Sequence, residues 1–554
     1  MRSAERTPGT LSVIPAKAGI QRLRLLTRER RWMPAFAGMT AILLLGIGTT
    51  TAVHATSPQA TTGNPAYDRI VDDVVARYHL PGIAVGVIED GKVTYTRTVG
   101  ETIAGSGQRI TPRTLFKIAS NSKAMTTALL GRLVDQGKLD WNDPVTKYLP
   151  DFRMNDPWVT RNMRVADLLT HASGLPEGGG DLMLWPEPNH FSRADIIHGL
   201  AHIKPDYSFR SRYQYDNLLY VVAGEVAAAA AGAPYETLMR REVFGPLGLD
   251  RCQVGAWNRD EVGDVASPHR REGDRNVASV EDAAIPAITS AAAGGIRCDL
   301  DDMLTWARNW LQPTPAQLAW LSSEQRRILQ APQMLIPVSA QRRDWDNSHV
   351  MAYGYGWRMT DVDGQWLVWH TGTLNGMYSM LALLPDRNSG FVFMINGEAD
   401  DARTVLGEVL TKHFTAPAQN RDVAWYADAL EREAAQRPAS SSAPDTSSQK
   451  PATTAELASS TGLYRDPWFG EISLCPRDGE VRFASVKSPA LTGTVMRLGQ
   501  RYFVHWDGHG NLDAWLDFQP GKLRMAKLDP QGDFSSDYED LDFVRSGSCA
   551  GNGE

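Results

Sequence analysis

The hydrophobic pattern changes period twice along this chain. Gly82-Ile83-Ala84-Val85-Gly86-Val87-Ile88 is an unbroken apolar run of strand length and reads as a buried strand. Glu89-Asp90-Gly91-Lys92 is a turn, and Val93-Thr94-Tyr95-Thr96 returns as a second strand, so the pair predicts a hairpin. The period then becomes helical. Met125, Ala128, Leu129, Leu133 and Val134 fall on one face of a helix opened by Ser120, and Gly137 is its expected C′ stop. Asp140-Trp141-Asn142-Asp143-Pro144 is a turn-rich exit. Strand patterning comes back late, in Trp366-Leu367-Val368-Trp369-His370, in Met377 to Leu384, and in Gly390-Phe391-Val392-Phe393-Met394-Ile395, with a turn at Pro385-Asp386-Arg387-Asn388. Strands at both ends with helices between them predict a mixed α/β fold. One sheet would be closed by the two ends of the domain, beside a helical region. Residues 422–437 read as a further helix, and 437–448 form a Pro/Ser/Ala linker too polar to pack. From about 455 only short strands and turns appear. Glu471-Ile472-Ser473-Leu474 and Glu480-Val481-Arg482-Phe483 alternate around Asp478-Gly479, and Tyr502 to Trp506 is another strand. This predicts a small all-β, barrel-like domain. The expected division is 56–418 for the main domain, 419–454 for helix and linker, and 455–554 for the β domain.

Residues 1–55 read as a leader. Arg28, Arg30 and Arg31 precede a short apolar run at 41–48, and Ala52-Val53-His54-Ala55 offers a small-residue cleavage site. The expected mature start is near Thr56, in an exported protein, periplasmic or secreted. The run is shorter than the roughly 20 residues of a membrane span, so no transmembrane anchor is expected after cleavage. Residues 13–21 and 33–40 resemble the translation of a proteobacterial intergenic repeat, which would place the true start further in. Composition adds little. The 554 residues are 42% hydrophobic and 22% charged, as in an ordinary soluble protein. A net charge of −7 without a basic block argues against a nucleic-acid partner. Sixteen tryptophans suit a large core better than a carbohydrate-like cleft. The four cysteines form no C-x-x-C, so neither a zinc site nor a thioredoxin-like motif is expected. In an exported chain they are compatible with two disulfides, which the domain division would pair as Cys252–Cys298 and Cys475–Cys549.

The candidate chemistry begins at Ser120-Asn121-Ser122-Lys123. Residues at i and i+3 share a helix face, so the lysine amine can lie beside the serine hydroxyl. A serine hydroxyl is a poor nucleophile until a base takes its proton. Lysine can be that base only when neutral. With an ordinary pKa of about 10.4, roughly one molecule in a thousand is neutral at pH 7, so a working site must depress it. Burial does so, and a helix N-terminus favours the developing alkoxide. Taken alone, the tetrapeptide is better read as an N-cap serine followed by a solvated lysine. Its context reverses that reading. Leu168-Leu169-Thr170-His171-Ala172-Ser173-Gly174-Leu175-Pro176, Tyr213-Gln214-Tyr215-Asp216-Asn217 and Trp369-His370-Thr371-Gly372-Thr373 follow in order.

The order S-x-x-K, L-L-T-H-x-S-G-L, Y-x-N and [KH]-T-G resembles the serine β-lactamase and penicillin-binding superfamily. It is nearest the branch of class C β-lactamases, D-alanyl-D-alanine carboxypeptidases, D-aminopeptidases and type VIII esterases. The resemblance runs from about 66 to 415. It includes Ile110-Thr111-Pro112-Arg113-Thr114-Leu115-Phe116, Gly294-Gly295-Ile296, Tyr353-Gly354-Tyr355-Gly356-Trp357 and the strand pair from His370 to Asn396. Around Tyr464-Arg465-Asp466-Pro467-Trp468-Phe469-Gly470 the β domain resembles the lipocalin-like module often appended to such hydrolases. The resemblance implies an antiparallel sheet flanked by helices and a serine hydrolase acting through an acyl-enzyme on peptide amide or ester bonds. Ser120 would be the nucleophile. Lys123 would accept its proton together with Tyr215, which of the two is the base being left open. Asn217 would donate to the substrate's acyl-side amide. The backbone N–H groups of Ser120 and Thr373 would form an oxyanion hole, worth about 3–4 kcal/mol per donor. His370 would act at the third motif, with Thr371, Gly372 and Thr373 lining the substrate. No cofactor or metal is implied. The expected partner is a small peptide, ester or cell-wall-derived substrate, with oligomerisation left open.

The third motif departs from the usual Lys-Thr-Gly. A histidine of ordinary pKa is charged in about a quarter of molecules at pH 7, so a substrate carboxylate would be held less strongly than by lysine. That predicts ester or peptide substrates over β-lactams; the esterase and D-aminopeptidase members of the branch carry His here. It also predicts that His370→Lys favours carboxylate-bearing substrates. The alternative is a penicillin- or peptidoglycan-binding protein with little turnover. His171 is expected to support its loop, and His198 and His202 to sit on an ordinary amphipathic helix, since no H-E-x-x-H completes a metal site. His505 and His509 are expected at the surface. The stretch around 313–332 is a candidate border of the cleft. The absence of G-x-S-x-G excludes a nucleophile elbow.

Overall fold

A computed structural model describes residues 63–374, 376–436, 443–508 and 510–549. The leader with its cleavage site, residues 437–442 of the linker, and His509 lie outside the described residues.

The main domain is built on one eight-stranded sheet. Its strands run, edge to edge, Lys92–Gly100, Gly82–Glu89, Ser389–Ile395, Met377–Leu384, Gln365–Leu374, Arg358–Val362, Met351–Tyr353 and Met334–Ile336. Every neighbouring pair is antiparallel. The first hairpin meets the last strand in register Ile83↔Ile395 to Ile88↔Gly390, so the two ends of the domain do close the sheet. Unbroken apolar runs were required because helices cover both faces. Ile83, Val85, Val87, Phe391, Phe393 and Ile395 point to one layer, with helices Pro65–Tyr78, Asp400–Thr415 and Val423–Ala435. Ala84, Ile88, Val392 and Met394 point to the other, with helices Ser122–Asp135, Leu218–Ala231 and Leu300–Leu311. Each large side chain so buried contributes about 1.5–3 kcal/mol.

Helix Ser122–Asp135 is buried on nearly every side. It ends where the sequence said it would. Gly137 has φ +68°, Lys138 N–H bonds Leu133 C=O and Gly137 N–H bonds Val134 C=O, which is a Schellman stop. The 313–332 stretch forms helices Pro315–Trp320 and Ser323–Leu329, which pack on the distal half of this helix, with Arg132 Nη1 donating to Trp320 C=O at 2.7 Å. It touches the end of the helix away from Ser120. Among the described residues Trp141, Trp306, Trp310, Trp320, Trp357, Trp369, Trp468 and Trp506 are buried in the core. Among the described residues no single helix is long and apolar enough to cross a membrane.

The C-terminal domain is a closed barrel of eight strands in up-and-down order, Gly462–Asp466, Gly470–Arg477, Glu480–Ser485, Thr492–Leu498, Arg501–Trp506, Ala514–Gln519, Lys522–Lys527 and Asp542–Gly547. Closure leaves no bare edge. The disulfides are Cys252–Cys298 and Cys475–Cys549, the latter tying the strand Gly470–Arg477 to the chain beyond the last strand. The barrel docks on the main domain through Phe191 against Phe469, through the pair Lys487–Asp195 at 2.5 Å, and through its segment 528–541.

Candidate active site

Ala119-Ser120-Asn121 is a 3-10 turn that leads into helix Ser122–Asp135. The turn is held under tension from the sheet. Ala119 has φ +49°, a left-handed conformation that an alanine adopts at a cost of order 1 kcal/mol or more. Ser379 Oγ donates to Ile118 C=O at 2.8 Å and accepts from Asn121 Nδ2 at 2.8 Å, while Ile118 N–H bonds Ile296 C=O. Gly372 completes the clamp: a Cβ there would stand 2.2 Å from Ile118 C=O. The third motif therefore needs glycine so that its strand can press against the serine turn.

Ser120 is partly exposed and Lys123 wholly buried. Lys123 Nζ lies 3.1 Å from Ser120 Oγ, 2.7 Å from Asn217 Oδ1 and 2.9 Å from Ala293 C=O. Burial pulls the ammonium down to about 7, although Asp181 and Asp216 pull the other way. A neutral amine has two N–H donors and one lone pair. Asn217 and Ala293 can only accept, so they take the two donors and the lone pair is left for the serine proton. Tyr215 OH reaches Ser120 Oγ at 2.9 Å. Burial raises the phenol far above its ordinary pKa, so it stays protonated and donates. Asn217 stands at the N-cap of helix Leu218–Ala231 but makes no side-chain cap bond; its amide serves Lys123 and Asp181 instead.

His370 is at the centre of the site but outside this chain of bonds. Its Nδ1 faces Thr371 C=O at 2.6 Å and its Nε2 faces Tyr353 OH at 2.9 Å. Thr371 C=O can only accept, so Nδ1 carries the proton; burial keeps the ring neutral, and Nε2 then accepts from the tyrosine. Burial, with Arg358 and Lys123 nearby, holds it well below the ordinary histidine range. The expected quarter-charged histidine is thus corrected: this position carries no charge at pH 7. Thr371 and Gly372 lie along the strand beside the serine turn, and Thr373 is exposed at its end, its hydroxyl bonded by Arg403.

His171 supports, as expected. It is buried beneath Tyr215, ring centroids 4.2 Å apart, and its Nδ1 accepts from Asp216 N–H. His198 and His202 do not share a helix: the helix Arg193–Gly199 ends between them. Among the described residues no group of three or more His, Cys, Asp or Glu is placed to hold a metal ion. His505 is exposed and paired with Asp513.

Several site residues escaped the sequence. Asp181 is wholly buried behind Asn217, whose Nδ2 donates to its Oδ2 at 2.8 Å. Ser535, from the barrel, donates to the same oxygen at 2.7 Å. Phe534 packs edge-on against Tyr215. Arg358 lies over the rings of Tyr215 and Trp369, with Nη2 3.3 Å from Tyr213 OH and Nε buried without a partner. The signal that was present is Gly178-Gly179-Gly180 just before Asp181. A Cβ at Gly178 would meet Phe534 C=O at 2.7 Å, so the glycine run marks where the barrel segment comes close.

Comparison with known proteins follows this geometry. The family model described as beta-lactamase matches residues 67–415. The unguisins hydrolase ungD' of Aspergillus campestris is 26% identical over 438 residues, covering 74% of this chain and 77% of its own. A beta-lactamase of Escherichia coli K12 is 27% identical over 320 residues, covering 58% of this chain and 76% of its own. Among solved structures, the octameric penicillin-binding protein homologue from Pyrococcus abyssi aligns with a TM-score of 0.54 at 18% identity. That alignment covers 87% of this chain and 99% of the homologue, a likeness of fold.

Proposed function

The chain belongs to the beta-lactamase family, a family of serine hydrolases, and from that premise we propose that it cleaves peptide amide or ester bonds through an acyl-enzyme on Ser120. The observation that carries this is the bond from Ser120 Oγ to a lysine whose other two polar contacts are both acceptors. Lys123 is the base and Tyr215 a donor, because burial favours the neutral form of each. Lys123 Nζ takes the Ser120 proton as Oγ forms its bond to the substrate carbonyl carbon. The oxyanion so formed is held by the backbone N–H groups of Ser120 and Thr373. The protonated lysine, through Tyr215 OH, returns the proton to the leaving amine or alkoxide as the C–N or C–O bond breaks. Water then attacks the ester under the same base and releases the acid.

The substrate class is set by the third motif. Neutral His370 supplies no charge for a carboxylate and leaves Arg358 as the cation beside Tyr215, and the loss of charge at the third motif supports esters and D-amino-acid peptides over β-lactams. The two disulfides support an exported, periplasmic or secreted protein. The test is a panel of p-nitrophenyl acyl esters, D-amino-acid peptides, nitrocefin and a fluorescent penicillin, on the protein and on Ser120→Ala. Ester or D-peptide turnover lost in Ser120→Ala is expected. A stable penicillin label without turnover would instead mark a penicillin-binding protein, and full activity in Ser120→Ala would end the proposal.

A further inference from the structure

We infer that the barrel domain holds the catalytic base in place: Ser535, acting through Asp181 and Asn217, positions Lys123 against Ser120. This rests on Lys123 being the base. The path is continuous. Ser535 Oγ donates to Asp181 Oδ2 at 2.7 Å, Asn217 Nδ2 donates to the same oxygen at 2.8 Å, Asn217 Oδ1 accepts from Lys123 Nζ at 2.7 Å, and Nζ is 3.1 Å from Ser120 Oγ. An amide side chain has one donating and one accepting end. Asp181 Oδ2 accepts from both neighbours, so it turns the NH2 end of Asn217 toward itself and the C=O end toward the lysine. With Asn217 reversed, N–H would face Nζ and compete for the lone pair that the serine proton needs.

Asp181 is fixed from the barrel side. Its Oδ1 is buried without a partner, so the two donors on Oδ2 are its support. Asp537 of the barrel accepts from the backbone N–H of Gly180 at 2.6 Å and of Leu182 at 3.0 Å, gripping the turn on both sides of Asp181. Ser535 and Asp537 thus bind one turn of the main domain from one barrel segment.

The charges around Lys123 fix the sign of the expected effect. Asp181 and Asp216 raise its proton affinity and Arg358 lowers it; the rings of Tyr215 and Tyr220 lie 4.8 and 5.2 Å from Nζ. His171 and His370 beyond are neutral. Behind Asp181 stand Asp533 and Asp537, with Asp540 beside Asp537. Burial already holds Asp181 up to about 8, above Lys123, so only its charged fraction pulls on the lysine proton, and removing the Ser535 hydroxyl shrinks that fraction further. The acid limb of kcat/KM then moves to lower pH.

The experiment is the pH dependence of p-nitrophenyl ester hydrolysis by the full chain and by Ser535→Ala, Ser535→Thr, Asp181→Asn and Lys123→Met. We expect the plateau kcat to fall several-fold in Ser535→Ala with KM little changed. Its acid limb should move down by roughly a few tenths of a pH unit, because Asp181 is only partly charged where Lys123 titrates. Asp181→Asn should move it further the same way, and Ser535→Thr should restore both limb and plateau. If Asp181→Asn does not fold, the Ala and Thr pair at 535 carries the test. A limb that stays in place in Ser535→Ala, with a plateau loss that Thr does not repair, overturns the relay, provided Lys123→Met is inactive. Activity in Lys123→Met would instead remove the base assignment beneath it.

Discussion

The two sides of Lys123 are made in different ways. On one side the serine turn, the helix behind it and the strand Gln365–Leu374 are clamped by short-range features: Gly372 under Ile118, Ser379 between Ile118 and Asn121, and a three-residue step from Ser120 to Lys123. On the other side Asn217 and Asp181 come from two segments of the main domain, and Ser535 joins them only when the barrel docks. On the proposed mechanism the first side places the reacting atoms, and the second sets the orientation and field of the base. Reactive geometry can be written in local motifs, whereas the field at a buried amine depends on whatever folds around it.

The comparison is most severely tested by Lys123→Arg. Arginine has nearly the volume of lysine but stays protonated and cannot act as a base at neutral pH, so hydrolysis should fall by about a thousandfold or more in steady-state assays. A smaller loss would mean the serine side works without a neutral amine. Gly372→Ala tests the serine side alone. The new Cβ collides with Ile118 C=O and must displace the turn or the strand, and an error near 1 Å in a reacting atom costs about a hundredfold. The barrel contacts should survive it, as judged by unchanged barrel tryptophan fluorescence.

The pH profile separates the two sides more gently. Lys123 is held near 7 in the folded protein and must be neutral to act. Activity should therefore be full above that value and drop about tenfold per pH unit below it, in kcat/KM measured with a neutral ester. Tyr215, pushed upward by burial, should add no limb in the neutral range. The mildest change expected is in Arg358→Gln. Its guanidinium sits beside Tyr215 and has an unpartnered nitrogen. KM for a carboxylate-bearing ester should rise several-fold while its neutral analogue is unaffected, as a matched substrate pair would report. Equal effects on both would place Arg358 outside substrate recognition.

Much of the serine side was legible in the sequence. The apolar run from Gly82 to Ile88 announced a buried strand, Gly137 announced the helix stop, and the resemblance of Tyr215-Asp216-Asn217 to the Y-x-N motif pointed to the site. The late strands from Trp366 to Ile395 fell where their apolar runs put them. What was not legible was charge state and long-range contact. His370 looks like a titrating cation in one dimension, but only the folded chain shows Thr371 C=O and Tyr353 OH taking its two nitrogens. Asp181 is one acidic residue among many until Ser535 is brought to it across the domain boundary. The pair His198 and His202 was misjudged for a simpler reason: the capping box at Ser192 starts a helix that Gly199 ends after two turns.

The central claim is that Ser120, deprotonated by Lys123, carries the acyl group. Rapid acid quench of the protein during turnover of a p-nitrophenyl ester, followed by mass spectrometry of the peptide containing Ser120, tests it directly. This peptide should gain the mass of the acyl group at Ser120, and Ser120→Ala should give neither adduct nor turnover. Turnover with the acyl group on another residue, or with Ser120→Ala fully active, would contradict it.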